Sequence, residues 1–206
     1  MRGAIVRRIG FVVLALGLLL TYPRRTRGQE CDSLQTAASV DLVSFLSSVT
    51  PDQNNGDCIT WAIKKLGAQR YEPAIPVLSG LLSFKRPPTE REKQGVYLRM
   101  QTIWEIYPAA GALDLFGKKA LPSLMTTIKA ESTTALAREN AVAVLMGIHK
   151  YEKAQGVALL KQEEISASDD STKQRLQWAI SHAIQKWCHP PDDGGCKEAA
   201  NPQQSR

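Results

Sequence analysis

The sequence is poor in the residue types that most enzymes and metalloproteins depend on. Its 206 residues include only three histidines, at positions 149, 182 and 189, and only 6% of the residues are aromatic. The chain contains no Gly-x-Ser-x-Gly motif, no phosphate-binding glycine loop and no dinucleotide-binding fingerprint. These absences predict a non-enzymatic protein without catalytic residues, a bound cofactor or a metal.

A broad basic surface is also missing. The formal net charge is +6, from 26 basic and 20 acidic residues, but six of the arginines lie within residues 1–28. The rest of the chain therefore carries 20 basic and 20 acidic residues, and its length suits one domain. Because nucleic-acid binding requires a basic face, we expect no nucleic-acid partner.

The first 28 residues have the pattern of a secretory signal peptide. Three arginines precede an uninterrupted apolar run from Phe11 to Leu20. The uncharged stretch from Ile9 to Tyr22 would form a helix of about 21 Å, whereas bilayer hydrocarbon is about 30 Å thick. We therefore predict cleavage after export to the periplasm or the exterior. The alternative is an uncleaved leader that anchors the chain, and this is the only membrane contact that we expect.

Beyond residue 30, the apolar residues recur with helical rather than strand periodicity. Thr89 lies three residues before Glu92, a capping-box pattern that predicts a helix continuing to Tyr107, where Pro108 follows. The pattern predicts an all-α chain. The apolar stripes lie at 34–49, 59–66, 120–129, 137–148, 153–165 and 173–187.

Parts of the sequence are repeated. Residues 66–74 (LGAQRYEPA) align with residues 146–154 (MGIHKYEKA) at an offset of 80, and 74–78 (AIPVL) is similar to 120–124 (ALPSL). Periods in this range indicate stacked helical hairpins. The spacing between copies also predicts about 12 extra residues near Pro108–Gly117, whose role the sequence does not reveal.

Four residues in these copies have predicted backbone roles. Gly67 and Gly147 are predicted to end helices in the left-handed conformation that glycine adopts without steric cost. Pro76 and Pro122 are predicted to occupy first helical turns, where the missing N–H has no partner to lose.

The repeated segments resemble the HEAT-like repeat family, in particular its short bacterial, PBS-lyase-like form. That family combines an alanine-rich helix ending in Leu-Gly with a second helix opening in Ala-Val-Pro-x-Leu. The resemblance covers residues 57–188 and implies a right-handed α-solenoid of three to four antiparallel hairpins. We expect residues 29–56 to form an N-terminal strap and capping helix, and residues 189–206 to form a mostly disordered tail tied by a disulfide.

The same resemblance implies a scaffold or adaptor that binds another protein without chemistry. Two alternatives stay open. Some HEAT-like proteins attach bilin chromophores as lyases, although an exported chain with oxidised cysteines fits that activity poorly. The chain could instead be a structural envelope protein that its leader tethers to a membrane.

The four cysteines are predicted to form two disulfides, because an even number follows an export signal. Cys188 and Cys196 flank a turn-prone segment and are expected to pair. Cys31 would then pair with Cys58, which requires residues 31–38 to fold back as an irregular strap, so that the first long helix begins near Ser39. A zinc site is disfavoured, because Cys188, His189 and Cys196 supply only three ligands.

One face of the last predicted helix is the candidate binding surface. Arg175, Trp178 and His182 lie together on the side opposite the apolar stripe. These side chains could bind an anionic or aromatic partner by ring stacking and cation–π contact. The alternative is structural: Trp178 packs beneath the preceding helix.

Overall fold

A computed structural model of the chain describes residues 29–52, 55–97, 99–189 and 193–200. The predicted leader, residues 1–28, lies outside the described residues. Every regular element in these ranges is helical, which confirms the all-α prediction. The helices are α1 (Gln29–Gln35), α2 (Ser39–Ser48), α3 (Gly56–Ala68), α4 (Ile75–Gly80), α5 (Glu90–Lys93), α6 (Ile103–Ile106), α7 (Pro108–Phe116), α8 (Leu121–Lys129), α9 (Ala135–Ile148), α10 (Lys153–Ser166), α11 (Asp170–Trp187) and α12 (Asp193–Ala200).

The packing of these helices follows their order along the chain. Helices α3, α7, α9 and α11 lie side by side, each against the next. Helix α4 packs on α7, α8 on α9, and α10 on α11, so each of these helices contacts the one that follows it in the row. One continuous core joins them. Its largest fully buried side chains are Leu42, Ile59, Ile63, Leu66, Leu78, Leu82, Leu113, Leu124, Ile128, Leu145, Met146 and Leu160.

The later helices match the predicted stripes closely. Helices α8 to α11 fall on the four stripes predicted between residues 120 and 187. Pro76 and Pro122 lie in the first turns of α4 and α8, as predicted, each after a 3-10 turn. None of the helices in the described ranges is both long enough and apolar enough to cross a bilayer.

The N-terminal segment folds back on α3. The Cα atoms of Cys31 and Cys58 are 5.2 Å apart and the two residues form a disulfide. Helix α2 begins at Ser39, as the predicted pairing required, but the preceding strap is largely helical (α1) rather than irregular. The ammonium group of Lys65 fixes its end, donating to the carbonyl oxygens of Gln35 at 2.9 Å and Ala37 at 3.1 Å.

The prediction of one long helix from Thr89 to Tyr107 is wrong. The capping box at Thr89 is present, but α5 ends at Lys93, and a second box at Thr102 opens the short α6. Gly95 adopts φ +75°, a conformation that ends a helix and costs glycine nothing. The capping pattern therefore identified the start of a helix and could not show how soon it ended.

The segment that the repeat spacing predicted to be extra chain is a core helix. Residues 108–116 form α7, a buried helix that contacts α3, α4 and α9. The segment before it, residues 85–107, contains the short helices α5 and α6. Pro108 and Gly117 mark the two ends of a core helix, because proline suits a first turn and Gly117 ends the helix with φ +57°.

Gly67 and Gly147 do not adopt the predicted left-handed conformation. Both lie inside helices, and the positive φ near the first of them belongs to Arg70, at +49°. Both positions are close to neighbouring elements, and at Gly67 the backbone of α7 leaves no room for a side chain. A Cβ on Gly67 would lie 2.7 Å from the Cβ of Ala112, and one on Gly147 would lie 3.0 Å from a carboxylate oxygen of Asp114.

The C-terminal segment contains more order than the sequence predicted. Residues 193–200, which we expected to belong to a mostly disordered tail, form α12. This helix packs on α10 and α11, and Cys196 is fully buried and disulfide-bonded to Cys188, with a Cα–Cα distance of 6.3 Å. A short bridge and a small apolar face hold the segment against the preceding hairpin.

Candidate binding groove

Arg175, one of the three predicted binding residues, hydrogen-bonds within the fold. Its Nε donates a 2.6 Å hydrogen bond to the carbonyl oxygen of Lys129, at the end of α8, and its guanidinium also donates to Thr172. The last carbonyls of a helix lack partners within the helix, so Arg175 completes α8 from the neighbouring α11. Arg138 donates in the same way to the carbonyl oxygen of Ile128.

Trp178 and His182 do lie together, one helical turn apart on α11. Their rings stack with centroids 4.9 Å apart and an interplanar angle of 21°. Trp178 is 40% exposed, so the alternative in which it is packed beneath the preceding helix does not describe this position. Burial lowers the pKa of His182, nearby Lys186 lowers it further, and Glu139 opposes the shift. The imidazole is therefore neutral at neutral pH.

His182 forms part of a groove between α9, α11 and the residues that open α6. We call this the aromatic groove. It is lined by Thr102, Ile103, Trp104, Glu139, Ala143, His182, Lys186 and Trp187. The rings of Trp104 and Trp187 lie nearly parallel within it, 6.5 Å apart at an angle of 17°. Trp178 stands at its edge, stacked on His182.

Trp104, in the first turn of α6, lies against α9. The Thr102 backbone N–H donates to a Glu105 carboxylate oxygen at 2.9 Å, which fixes the start of α6. The indole then lies over Gly147, where an added Cβ would be 3.1 Å from the ring, and the Trp104 carbonyl oxygen lies 3.1 Å from the corresponding position on Gly111. Two glycines on neighbouring helices thus make room for this tryptophan.

The polar side of the groove is built around Glu139. Its carboxylate accepts a hydrogen bond from the Lys186 ammonium group at 2.5 Å and lies 3.6 Å from His182 Nε2. The buried indole nitrogen of Trp187 has no hydrogen-bond partner within the described part of the chain. The groove therefore offers aromatic faces and one ion pair, a combination suited to holding a side chain or a short segment.

The groove contains no arrangement that indicates bond-making chemistry. The carboxylate of Glu139 lies 3.6 Å from His182 Nε2, and the lining holds no serine or cysteine. Within the described ranges, no group of three or more histidine, cysteine, aspartate or glutamate side chains is placed to hold a metal ion.

Sequence reasoning found one edge of this groove and missed most of its lining. It selected Trp178 and His182 from helical periodicity, but placed Trp187 on the apolar face and did not consider Trp104 at all. The scarcity of tryptophan was the available signal, since three of the four in the chain meet here. Their convergence depends on the path of residues 85–107, which no local pattern reveals.

Comparison with known proteins adds no family or relative to this description: no protein-family model, no curated protein and no solved structure matches the chain.

Proposed function

We propose that this chain is an exported, non-enzymatic scaffold of HEAT-like repeats that holds a segment of another protein in the aromatic groove. The observation that carries the proposal is the convergence of Trp104 and Trp187 in one groove, with Trp178 at its edge. Trp104 and Trp187 are partly buried and Trp178 is 40% exposed, and tryptophan is among the residue types that dominate protein-binding surfaces.

The order of helix contacts supports a repeat architecture. A solenoid places the first helices of successive hairpins side by side, and packs each second helix on the next hairpin. The row formed by α3, α7, α9 and α11, with α4, α8 and α10 each on the following member, fits four such hairpins, the last completed by α12.

The cysteines support export. Two disulfides within the described residues indicate an oxidising environment outside the cytoplasm. The proposal adds to this that the arginine-rich, apolar leader directs the chain to the periplasm or the exterior as a signal peptide. Amino-terminal sequencing of the mature protein tests this part directly, since cleavage would leave a new terminus close to residue 29.

Photo-crosslinking tests the groove. We would place p-benzoylphenylalanine at Lys186, an exposed position in the groove, in cells that export the protein. The matched control places the same probe at Tyr151, which is 88% exposed and lies in the turn between α9 and α10. We expect a discrete adduct with another protein from position 186 and none of that mass from position 151.

The captured partner then allows an affinity measurement. Trp178→Ala should weaken binding about 30-fold, the effect of losing an aromatic hot spot of about 2 kcal/mol. Tyr151→Ala removes an exposed aromatic ring elsewhere and should leave the affinity unchanged. Equal adducts from both probe positions, or equal affinities of the two alanine variants, would remove the groove from the proposal. An unchanged melting temperature for both variants excludes misfolding as the cause.

A further inference from the structure

The segment between α5 and α6 exposes apolar side chains that the groove does not use. Val96 is 46% exposed, Tyr97 66% and Met100 93%. Isolated exposed apolar residues are common on protein surfaces, but three within five positions form a patch, which marks a contact surface. We call Val96, Tyr97 and Met100 the apolar loop.

Ion pairs hold the base of the apolar loop. Arg86 donates to both carboxylate oxygens of Glu92, at 2.8 and 2.6 Å, and Arg99 donates to both of Glu105, at 2.9 and 2.5 Å. These bonds, together with those from the capping threonines, lower the pKa of each glutamate to about 2. Both Arg–Glu ion pairs therefore stay ionised at neutral pH. Gln101 donates a further hydrogen bond to Glu92.

The apolar loop starts from the end of the molecule at which the leader joins. Pro87, which opens the segment, lies at the amino-terminal end of α3, where a Cβ on Gly56 would be 2.6 Å from its ring. The disulfide from Cys31 to Cys58 attaches the first described residues to the same turn of α3. The first described residues therefore lie beside the segment that carries the loop, and the leader directly precedes them in the sequence.

We propose that the apolar loop contacts the interfacial region of the membrane into which the leader inserts during export. Tyrosine and methionine side chains enter the headgroup region readily, and arginines beside them pair with anionic lipids. Exposed Arg91 supplies that charge at the loop. Three more arginines lie in residues 23–28, between the apolar run and the domain.

The lengths are compatible with this contact. Six residues separate Tyr22, at the end of the uncharged stretch, from Gln29, so the two Cα atoms are at most about 25 Å apart when the chain is extended. The domain is thus held close to the bilayer for as long as the leader stays in it. The proposal depends on the leader and on export, but not on the aromatic groove. It adds a membrane contact to the one that the sequence predicted for an uncleaved leader.

The test uses the full chain reconstituted in vesicles of phosphatidylethanolamine and phosphatidylglycerol. One sample carries Tyr97→p-benzoylphenylalanine, and its control carries the same replacement at Tyr151. Gly67 and Gly147, near the ends of α3 and α9, both contact α7, so the turn that holds Tyr151 lies at the end opposite Gly56. After illumination, mass spectrometry counts lipid adducts on each protein.

We expect lipid adducts from position 97 to exceed those from position 151 at least about fivefold, as interfacial insertion of one loop requires. Arg91→Glu should lower the yield from position 97 in anionic vesicles and leave it unchanged in phosphatidylcholine alone. Equal lipid yields from the two positions would overturn the proposal. So would adducts at position 97 with a second copy of the chain, because another protein surface would then cover the loop.

Met100 provides a second readout without any substitution. Peroxide should oxidise Met100 several-fold more slowly in the vesicle-bound full chain than in the same chain after the lipid has been extracted. Met125 and Met146 are buried and serve as internal controls. Protection of Met100 that persists after lipid removal would contradict the membrane contact. Loss of the groove interaction in Trp178→Ala should leave this protection intact, which separates a failure here from a failure of the proposed function.

Discussion

The close approach of α3 and α7 leads to a quantitative prediction for Gly67→Ala. The added Cβ would lie 2.7 Å from the Cβ and 2.9 Å from the Cα of Ala112. Neither atom belongs to a flexible side chain, so one of the helices must shift. Overpacking of this kind costs about 1–3 kcal/mol. Alanine returns at most about 1 kcal/mol through its better helix propensity.

We therefore expect Gly67→Ala to lower the free energy of unfolding by about 1–2 kcal/mol, since the packing cost exceeds the propensity gain. For a chain of this size the melting temperature should fall by about 2–8 °C. Urea unfolding followed by circular dichroism measures the first quantity, and calorimetry measures the second. An unchanged slope of free energy against urea concentration would assign the loss to the folded state.

Gly80→Ala is the matched control. Gly80 also lies at the end of a helix, but no atom lies within 4 Å of the position where its Cβ would stand. This variant should be neutral or more stable by up to about 1 kcal/mol. Ala112→Gly should recover part of the loss in the Gly67→Ala background, because it removes the nearest atom. If Gly67→Ala and Gly80→Ala are equally stable, α3 and α7 do not pack as described.

Two further predictions concern the disulfide between Cys31 and Cys58 and the residue that caps the start of α11. Replacing Cys31 and Cys58 with serine should lower the free energy of unfolding by about 3.5 kcal/mol, because the unfolded chain is no longer closed into a loop that spans 27 residues. Urea unfolding of the wild-type and serine forms measures this difference. Equal midpoints would contradict the prediction. Asp169 accepts a 2.7 Å hydrogen bond from the Thr172 backbone N–H, which lowers its pKa to about 2. Its stabilising contribution is therefore complete above about pH 4 and is lost as the pH falls towards 2. The helicity of the Asp169→Asn variant should change less over that pH interval than the helicity of the wild-type chain. Identical acid titrations of the two proteins would exclude the Asp169 cap as the cause of the acid-induced loss of stability.

Local sequence patterns were sufficient for much of the fold. Apolar stripes located α8 to α11, and prolines marked the first turns of α4 and α8, because both signals depend on contacts within a few residues. The proposed pairing of Cys31 with Cys58 also required a helix start near Ser39, and α2 begins there. The position of that helix start followed from the assumed pairing and from the limited distance that a disulfide can span.

The errors share a physical cause. Gly67 and Gly147 were assigned to helix ends, because a glycine near the end of a stripe commonly adopts a positive φ. Their actual requirement is the distance to α7, a helix far away in sequence. Residues 108–116 were taken for inserted chain because they fall outside the repeat register, yet they form a core helix. In each case the deciding contact was not local.

The sequence by itself determined the class of the fold, the positions of most long helices, the cysteine pairing and the absence of a basic body. These properties follow from residue order over short distances and from composition. Only the tertiary structure decided that residues 85–107 carry Trp104 to α9 and α11, and that Arg175 donates to the last carbonyl of α8. The reason is physical: a groove is formed by the spacing between helices, which the packing of the whole core sets.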